Sequence, residues 1–286
     1  MRIFDVPEWV KEANFPYARP DEVPSEIFEQ TNSLLDKKIS KAPLVSILIS
    51  AYNEEVNVLR CIASLALTNT TLPFEIIVTN NNSTDRTQET LDKLHVKTVF
   101  QEIQGWGPAR QKGQENAKGK YILLADADCL YPPHWVDEMM KVLRQKDVVC
   151  VYGRYSFIPE PGFPRWKLFF LEQMKNVAAE LRHLKRPYLN TYGISMGYVA
   201  EYGLRIGFVM EKIRGEDGRL AFDLMNYGKI KQVKSAEAMV WTGPRTLGQD
   251  GSFNRALVKR LSKELKRMFT LFKSKQAHDT KTSTND

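Results

Sequence analysis

The chain has 286 residues, 43% apolar and 26% charged, which is the balance of an ordinary globular protein with enough length for a sizeable core. No run of eighteen apolar residues occurs, so no transmembrane helix is expected, and Met1-Arg-Ile-Phe-Asp-Val-Pro7 lacks the apolar stretch of a signal peptide. The net charge of +7 is concentrated: residues 253–276 hold eight Lys/Arg against one Glu, so an anionic partner is expected for this segment rather than for the whole chain.

Residues 1–42 show no sustained period and carry Pro7, Pro16, Pro20 and Pro24, so they are expected to form an extension with one helix near 25–37. From Pro43 the pattern becomes regular. Leu44–Ser50 is predicted as a strand, and residues 55–67 have helical spacing through Val56, Leu59, Ile62, Ala63 and Ala66. Phe74–Thr79 is a second strand, and Asp85-Arg-Thr-Gln88 has the form of a capping box opening a helix to about Leu94. A third strand follows over Val96–Phe100, a helix over 109–117, a fourth strand over Tyr121–Ala125 and a helix over 132–145. Val148–Phe157 is a fifth strand interrupted at Gly153. Strand and helix alternating with short connections predict an α/β fold with a mostly parallel sheet covered on both faces.

Beyond residue 160 the pattern is less regular. Residues 166–184 are amphipathic and begin with Trp166, Phe169 and Phe170, which suits either a core-covering helix or a lipid or acceptor contact. Residues 188–210, rich in Gly and aromatics, are expected as an acceptor loop. Glu216-Asp217 opens a helix through Asn226, and Met239–Thr242 is a last strand ending in Gly243-Pro244-Arg245. Acids at a helix N-terminus complement the helix dipole, so Glu216 and Asp217 taken alone suit a cap as well as a catalyst.

Cys61, Cys129 and Cys150 are odd in number and at least two are set among apolar residues, as reduced, partly buried thiols of a cytosolic protein would be. With four scattered histidines they form no zinc-like spacing.

In parallel sheets ligands bind beyond the carboxyl ends of the strands. Polar clusters fall there three times: Ala51-Tyr52-Asn53-Glu54 after the first strand, Asn80-Asn81-Asn82 after the second, and Asp126-Ala-Asp128 after the fourth. Alternation along a strand puts Asp126 and Asp128 on one side, where two carboxylates repel unless a cation joins them. Mg²⁺ and Mn²⁺ prefer such oxygen ligands and keep positions open for phosphate. An Asp-rich turn is the competing reading of the same three residues. The first loop is not G-x-G-x-x-G, so NAD and FAD are not expected.

The ordered set of stretches resembles the family 2 glycosyltransferases, which have the nucleotide-diphospho-sugar transferase (GT-A) fold. The resemblance spans residues 43–245 and rests on four pieces. They are Val45-Ser-Ile-Leu-Ile-Ser-Ala-Tyr-Asn-Glu-Glu55, Glu75-Ile-Ile-Val-Thr-Asn-Asn-Asn-Ser-Thr-Asp85, Ala109-Arg110 through Asp128, and Gly215-Glu-Asp217. It implies a GT-A domain over 43–250 and an inverting enzyme that uses a nucleoside-diphosphate sugar with Mn²⁺ or Mg²⁺. Ala51, Tyr52 and Glu54 would lie in the nucleotide loop, with Tyr52 and Asn81 at the base and Arg110 approaching the nucleotide. Asp126 would lie near the ribose, Asp128 would hold the metal directly with Asp126 beside it, and Asp217, next to Glu216, would be the general base. Arg245 is available to the phosphates. Many members have Asp where this chain has Asn81, so the base stays open among UDP, GDP and dTDP. The Q-x-x-R-W motif of processive synthases is absent, which points to single transfer, as in bacterial cell-surface glycan or glycolipid synthesis.

Two other classes compete. A nucleotidyltransferase would want a Gly-rich phosphate loop after the first strand, and a non-catalytic scaffold would not need intact acids at 126, 128 and 217. In the C-terminal segment Phe253, Leu257, Leu261, Leu265, Met268 and Phe272 recur at helical steps among basic residues. A basic amphipathic helix over 251–276 is therefore expected, either packed on the domain or held to the inner face of the cytoplasmic membrane, with a disordered tail over 277–286. No aromatics interleave with its charges, so nucleic acid is not an expected partner. The acceptor is expected to be a glycan or a lipid-linked glycan.

Overall fold

Three strands rich in β-branched and aliphatic residues form the centre of the molecule: β1 (Val45–Ala51), β2 (Phe74–Asn80) and β4 (Tyr121–Asp126), with β3 (Lys97–Phe100) at the edge. The computed structural model describes residues 5–211 and 215–248, with single positions 255, 258, 260 and 262 beyond. β1 lies parallel between β2 and β4, and β3 runs parallel to β2. The helices between them are α3 (Asn57–Ala66), α4 (Thr87–Asp92) and α5 (Trp106–Glu115). Downstream come β5 (Cys129–Leu130), α6 (Trp135–Leu143), β6 (Val148–Tyr152), β7 (Tyr155–Phe157), α7 (Arg165–Lys185) and β8 (Met196–Val199). The last elements are α8 (Ala200–Ile206), α9 (Glu216–Leu224), β9 (Lys229–Gln232), β10 (Val240–Thr242) and α10 (Arg245–Gly248). Upstream lie α1 (Glu8–Ala13) and α2 (Ser25–Lys38).

The main sheet has seven strands in the order β3-β2-β1-β4-β8-β6-β9. Only β8 is antiparallel to its neighbours, so the expected mostly parallel α/β fold is present. Alternation along β1 feeds two cores. Val45, Ile47, Ile49 and Ala51 pack with α2, α3 and α6, while Leu48 packs with Tyr198 of β8 and Leu220 and Leu224 of α9. Each such aliphatic side chain, fully buried, contributes about 1.5–3 kcal/mol. The extension is part of this core through Phe28 and Leu35 of α2, and α1 packs Val10 and Ala13 against Leu130 and Trp241.

The interruption expected at Gly153 is present and separates two sheets: β6 stays in the main sheet, and β7 joins a small sheet in the order β5-β10-β7. Two sequence expectations are corrected. The 188–210 stretch is not an open loop, because β8 threads between β4 and β6 and α8 follows it. Its four residues, Met196-Gly-Tyr-Val199, are too few for a period to show. The capping box also fails. Asp85 accepts instead from the Thr87 amide (2.9 Å), and Gln88 turns to Asn80 and Asp92, so α4 starts at Thr87 with no side-chain cap. The amphipathic segment 251–276 and the tail 277–286 lie outside the described residues, apart from the four single positions above.

Candidate functional site

The register of the parallel strands creates the site. Ala51 is opposite Asn80 and Ser50 opposite Asp126, so the chain leaves all three strands at one level. The loops that follow carry Tyr52 and Glu54, Asn81, and Asp128. The small sheet adds a fourth contributor: β10 pairs antiparallel with β5, which starts at Cys129 directly after the acids, and α10 then presents Arg245.

Arg110 is the centre of the arrangement. It lies on α5, is 4% exposed, and reaches three carboxylates. Its Nη1 is ion-paired with Glu216 and with Asp217, and its Nη2 with Asp126 Oδ1 at 3.2 Å. The second oxygen of Asp217 accepts a hydrogen bond from the Gly193 amide at 2.8 Å. Glu216 and Asp217 begin α9, but neither bonds its own helix N-terminus with its side chain, and Gly215 takes the cap position in the left-handed region (φ 88°). Both acids stand in the first turn of α9, where they complement the helix dipole as the cap reading expects, and both are also ion-paired with Arg110. Burial pushes the Asp217 carboxyl up to about 7; Arg110 opposes this and Glu216 and Asp126 add to it. Asp126 moves the same way for the same leading reason.

Arg245 is the second cation. One of its nitrogens donates to Glu54 Oε1 and to Asp128 Oδ2, both at 2.7 Å. Glu54 is buried and also accepts from Asn57 (2.7 Å); burial raises its pKa, with Asp128 adding and Arg245 and Asn57 opposing. Among the described residues of the site two guanidinium groups, Arg110 and Arg245, face five carboxylates, Glu54, Asp126, Asp128, Glu216 and Asp217. The excess of negative charge in a partly buried site favours a further cation.

Asp126 and Asp128 suit a divalent one. Together with the Cys129 thiol they present ligand atoms within 4.8 Å of one another, and Ala127 between them is buried, as alternation predicts. Burial and the two acids hold the Cys129 thiol well above its ordinary pKa, so the oxygens are the donors that match Mg²⁺ or Mn²⁺. The Arg245 guanidinium on Asp128 already occupies a cation position there.

Tyr52 stands 43% exposed at the rim, with its ring free of the core. Asn81 is buried, and its carbonyl oxygen accepts from the Gly105 amide at 3.0 Å, which fixes the turn into α5 and leaves the NH₂ end as a donor. Ala51 is fully buried in the last position of β1 and offers only backbone. Sequence reasoning missed Gly193. A Cβ there would sit 1.8 Å from Arg110 Nη2, so only glycine lets the guanidinium pass beneath the segment that bonds Asp217. Nothing in the residues around Gly193 signals a contact with a helix eighty residues upstream.

A mainly parallel sheet with an Asp-x-Asp edge, an arginine helix behind it and an acidic helix start opposite is the architecture of the GT-A nucleotide-sugar transferases. Residues 46–201, more than half of the chain, match the family model described as glycosyl transferase family 2, and the chain belongs to that family. This sets aside the nucleotidyltransferase alternative. Among curated relatives, the hyaluronan synthase of Pasteurella multocida is 34% identical over 132 residues, which cover 44% of this chain and 14% of that protein. The chain spans well under two thirds of the length of the first relatives it matches. Among solved structures, a mannosyltransferase of Pyrobaculum calidifontis in complex with GDP-mannose and Mn²⁺ superposes with a TM-score of 0.54 at 16% identity, covering 87% of this chain and 76% of its own. Glucosyl-3-phosphoglycerate synthase of Mycobacterium tuberculosis, in complex with Mn²⁺, UDP-glucose and phosphoglyceric acid, gives 0.52 at 19% identity, covering 87% and 85%. At these identities the two structures speak for the fold.

Proposed function

We propose that the chain is an inverting, metal-dependent transferase that moves a sugar from a nucleoside diphosphate to an acceptor hydroxyl in cell-surface glycan or glycolipid synthesis. The observation that carries this is the buried guanidinium of Arg110, which joins the Asp-x-Asp edge to Asp217. Asp128, with Asp126 beside it, would hold Mn²⁺ or Mg²⁺. Bound there, the cation supplies Lewis-acid neutralisation of the leaving diphosphate. Arg245 would let go of Asp128 when that position is filled, which frees a two-pronged donor for phosphate oxygens. Tyr52 would stack on the base, and Asn81 would offer its NH₂ to a base carbonyl.

Asp217 is the general base in this reading. The Gly193 amide fixes one of its oxygens and Arg110 the other, so the carboxylate is oriented before the acceptor arrives. It takes the proton of the acceptor hydroxyl as that oxygen attacks the anomeric carbon from the face opposite the leaving group. One displacement inverts the centre, so an α-linked donor gives a β product. Positioned base catalysis typically contributes about 10²–10⁴-fold. The GDP- and UDP-sugars bound by the two structural neighbours support a diphosphate donor and leave the base to experiment.

The test is a thermal-shift screen of UDP, GDP and dTDP with and without Mn²⁺ on wild type, Asp128→Ala and Arg245→Gln. One diphosphate should raise the midpoint only with metal, and Asp128→Ala should lose the response. A ligand at a hundredfold excess over its dissociation constant adds about 2.7 kcal/mol to apparent stability. If no nucleotide shifts wild type with either ion, the donor assignment fails.

A further inference from the structure

The turn that steadies Asp217 is itself held from several sides. Gly193–Ser195 form one turn of 3-10 helix, closed by the Ser195 amide on the Tyr192 carbonyl at 3.0 Å. Beyond the Gly193 bond to Asp217, the Ile194 carbonyl accepts from the buried Tyr131 hydroxyl (3.0 Å), which in turn accepts from the Asp126 amide (2.8 Å). Ser195 accepts twice, through its carbonyl from the Gly153 amide (2.8 Å) and through Oγ from the Trp135 indole (3.0 Å). One short turn is thus bonded to the start of α9, to the end of the Asp-x-Asp strand and to α6. Tyr192 leads into it. Thr191 before and Gly193 after are buried, whereas Tyr192 stands 38% exposed. Among the described residues its ring meets one other, Tyr155 of β7, at 85° with centroids 6.4 Å apart. In a right-angled pair at least one face of each ring stays clear of the other, so Tyr192 keeps an open face on a fixed backbone.

A single exposed tyrosine is ordinary; what sets this one apart is its place. With Asp217 as general base, the reading on which this inference rests, the acceptor hydroxyl lies at that carboxylate. Consecutive Cα atoms are about 3.8 Å apart, so Tyr192 is one residue from the amide that fixes the base. It is also on the side of Arg110 away from Asp128, where the acceptor enters if the diphosphate leaves toward the metal. An aromatic face carries the negative part of the ring's quadrupole. The C–H bonds on the apolar face of a pyranose are weakly positive, so the two faces attract while the sugar's hydroxyls stay at its edge. A small anion would need a cation instead. Among the described residues of the site, Arg110 is engaged by three carboxylates and Arg245 by two. We infer that Tyr192 is the platform on which a sugar ring of the acceptor stacks, so that the acceptor is the end of a glycan rather than a small anion or a simple alcohol.

The test is saturation-transfer NMR of the full chain with Mn²⁺ and UDP, GDP or dTDP. The probes are the methyl glycosides of glucose, galactose, mannose, N-acetylglucosamine and rhamnose, with glycerol 3-phosphate as the anionic control. At least one glycoside should receive saturation from wild type, strongest on the C–H protons of one ring face. Tyr192→Phe should keep that affinity within about twofold and Tyr192→Leu should weaken it roughly tenfold, a difference that apolar bulk alone would not make. If the Leu variant melts early, Tyr192→Trp decides: its emission should respond to the bound glycoside beyond the response of wild type. The inference is overturned if no glycoside receives saturation, if Tyr192→Leu binds as well as wild type, or if the Tyr192→Trp emission does not respond. It is equally overturned if glycerol 3-phosphate binds in place of the glycosides. The nucleotide-induced thermal shift of the same wild-type sample separates two failures. A shift without glycoside binding removes this inference alone, whereas no shift with any nucleotide removes the transfer reading and this inference with it.

Discussion

Replacing Asp217 with Asn separates charge from shape. Asp217 Oδ2 accepts from the Gly193 amide at 2.8 Å and Oδ1 is paired with Arg110. Asn has the same outline, but one end becomes an NH₂, so in either orientation a donor faces a donor. The larger effect is chemical. Removal of a base worth about 10²–10⁴-fold raises the barrier by about 2.7–5.4 kcal/mol. The pH dependence is more diagnostic than the rate. Burial lifts the Asp217 carboxyl to about 7, and a base acts only when ionised. The wild-type log kcat/KM should therefore rise with unit slope below about pH 7 and level above it, while Asp217→Asn should be flat across that window. Stability runs in the opposite direction. The folded pKa lies above the unfolded one, so this group's contribution is fully present below about pH 4 and is lost as pH rises through about 7. Thermal melts of the variant between pH 5 and 8 should lack that decline. The assay is release of nucleoside diphosphate against pH, with melts in parallel. Activity of Asp217→Asn within tenfold of wild type, or an unchanged acidic limb, would refute the assignment and move the base to another carboxylate.

Arg110→Met leaves Asp126, Glu216 and Asp217 facing one another without their cation. Breaking a buried pair in this way costs about 3–5 kcal/mol, and the loss should be smaller at pH 5 than at pH 8 because the acids can protonate. Urea melts at the two pH values check this, and equal losses would contradict it. Gly193→Ala puts a methyl 1.8 Å from Arg110 Nη2, so it should destabilise by about 1–3 kcal/mol and weaken the nucleotide-induced thermal shift as Arg110 moves off Asp126. A silent Gly193→Ala would show that the guanidinium relocates freely. Asn81→Asp keeps an oxygen for the Gly105 amide and replaces the NH₂ donor with a second acceptor, so calorimetry should show preference moving toward UDP over CDP by roughly tenfold. An unchanged ratio would remove Asn81 from the base site.

Much of this protein is fixed by local chemistry. The alternation of Val45, Ile47 and Ile49 and the all-apolar centre of Tyr121–Asp126 specify buried strands whatever lies around them, and polar residues at their carboxyl ends mark the edge where ligands bind. The acids at 126, 128, 216 and 217 and the arginines at 110 and 245 are legible for the same reason: charge at a strand or helix end asks for a partner. Which partner each finds is a long-range matter. Arg110 meets Asp217 only because β8 threads antiparallel beside β4 and because Gly193 lacks a side chain. Arg245 reaches Asp128 only because β10 returns to pair with β5. The facing of α7 was equally out of reach of periodicity, which reports that a helix has an apolar stripe but not which way it turns. That choice depends on partners such as Ser156 and Asn190, which satisfy Glu172 and Arg182 and lie outside the helix itself. Local pattern sets the elements and the charges; the crossing of distant segments decides which charges meet.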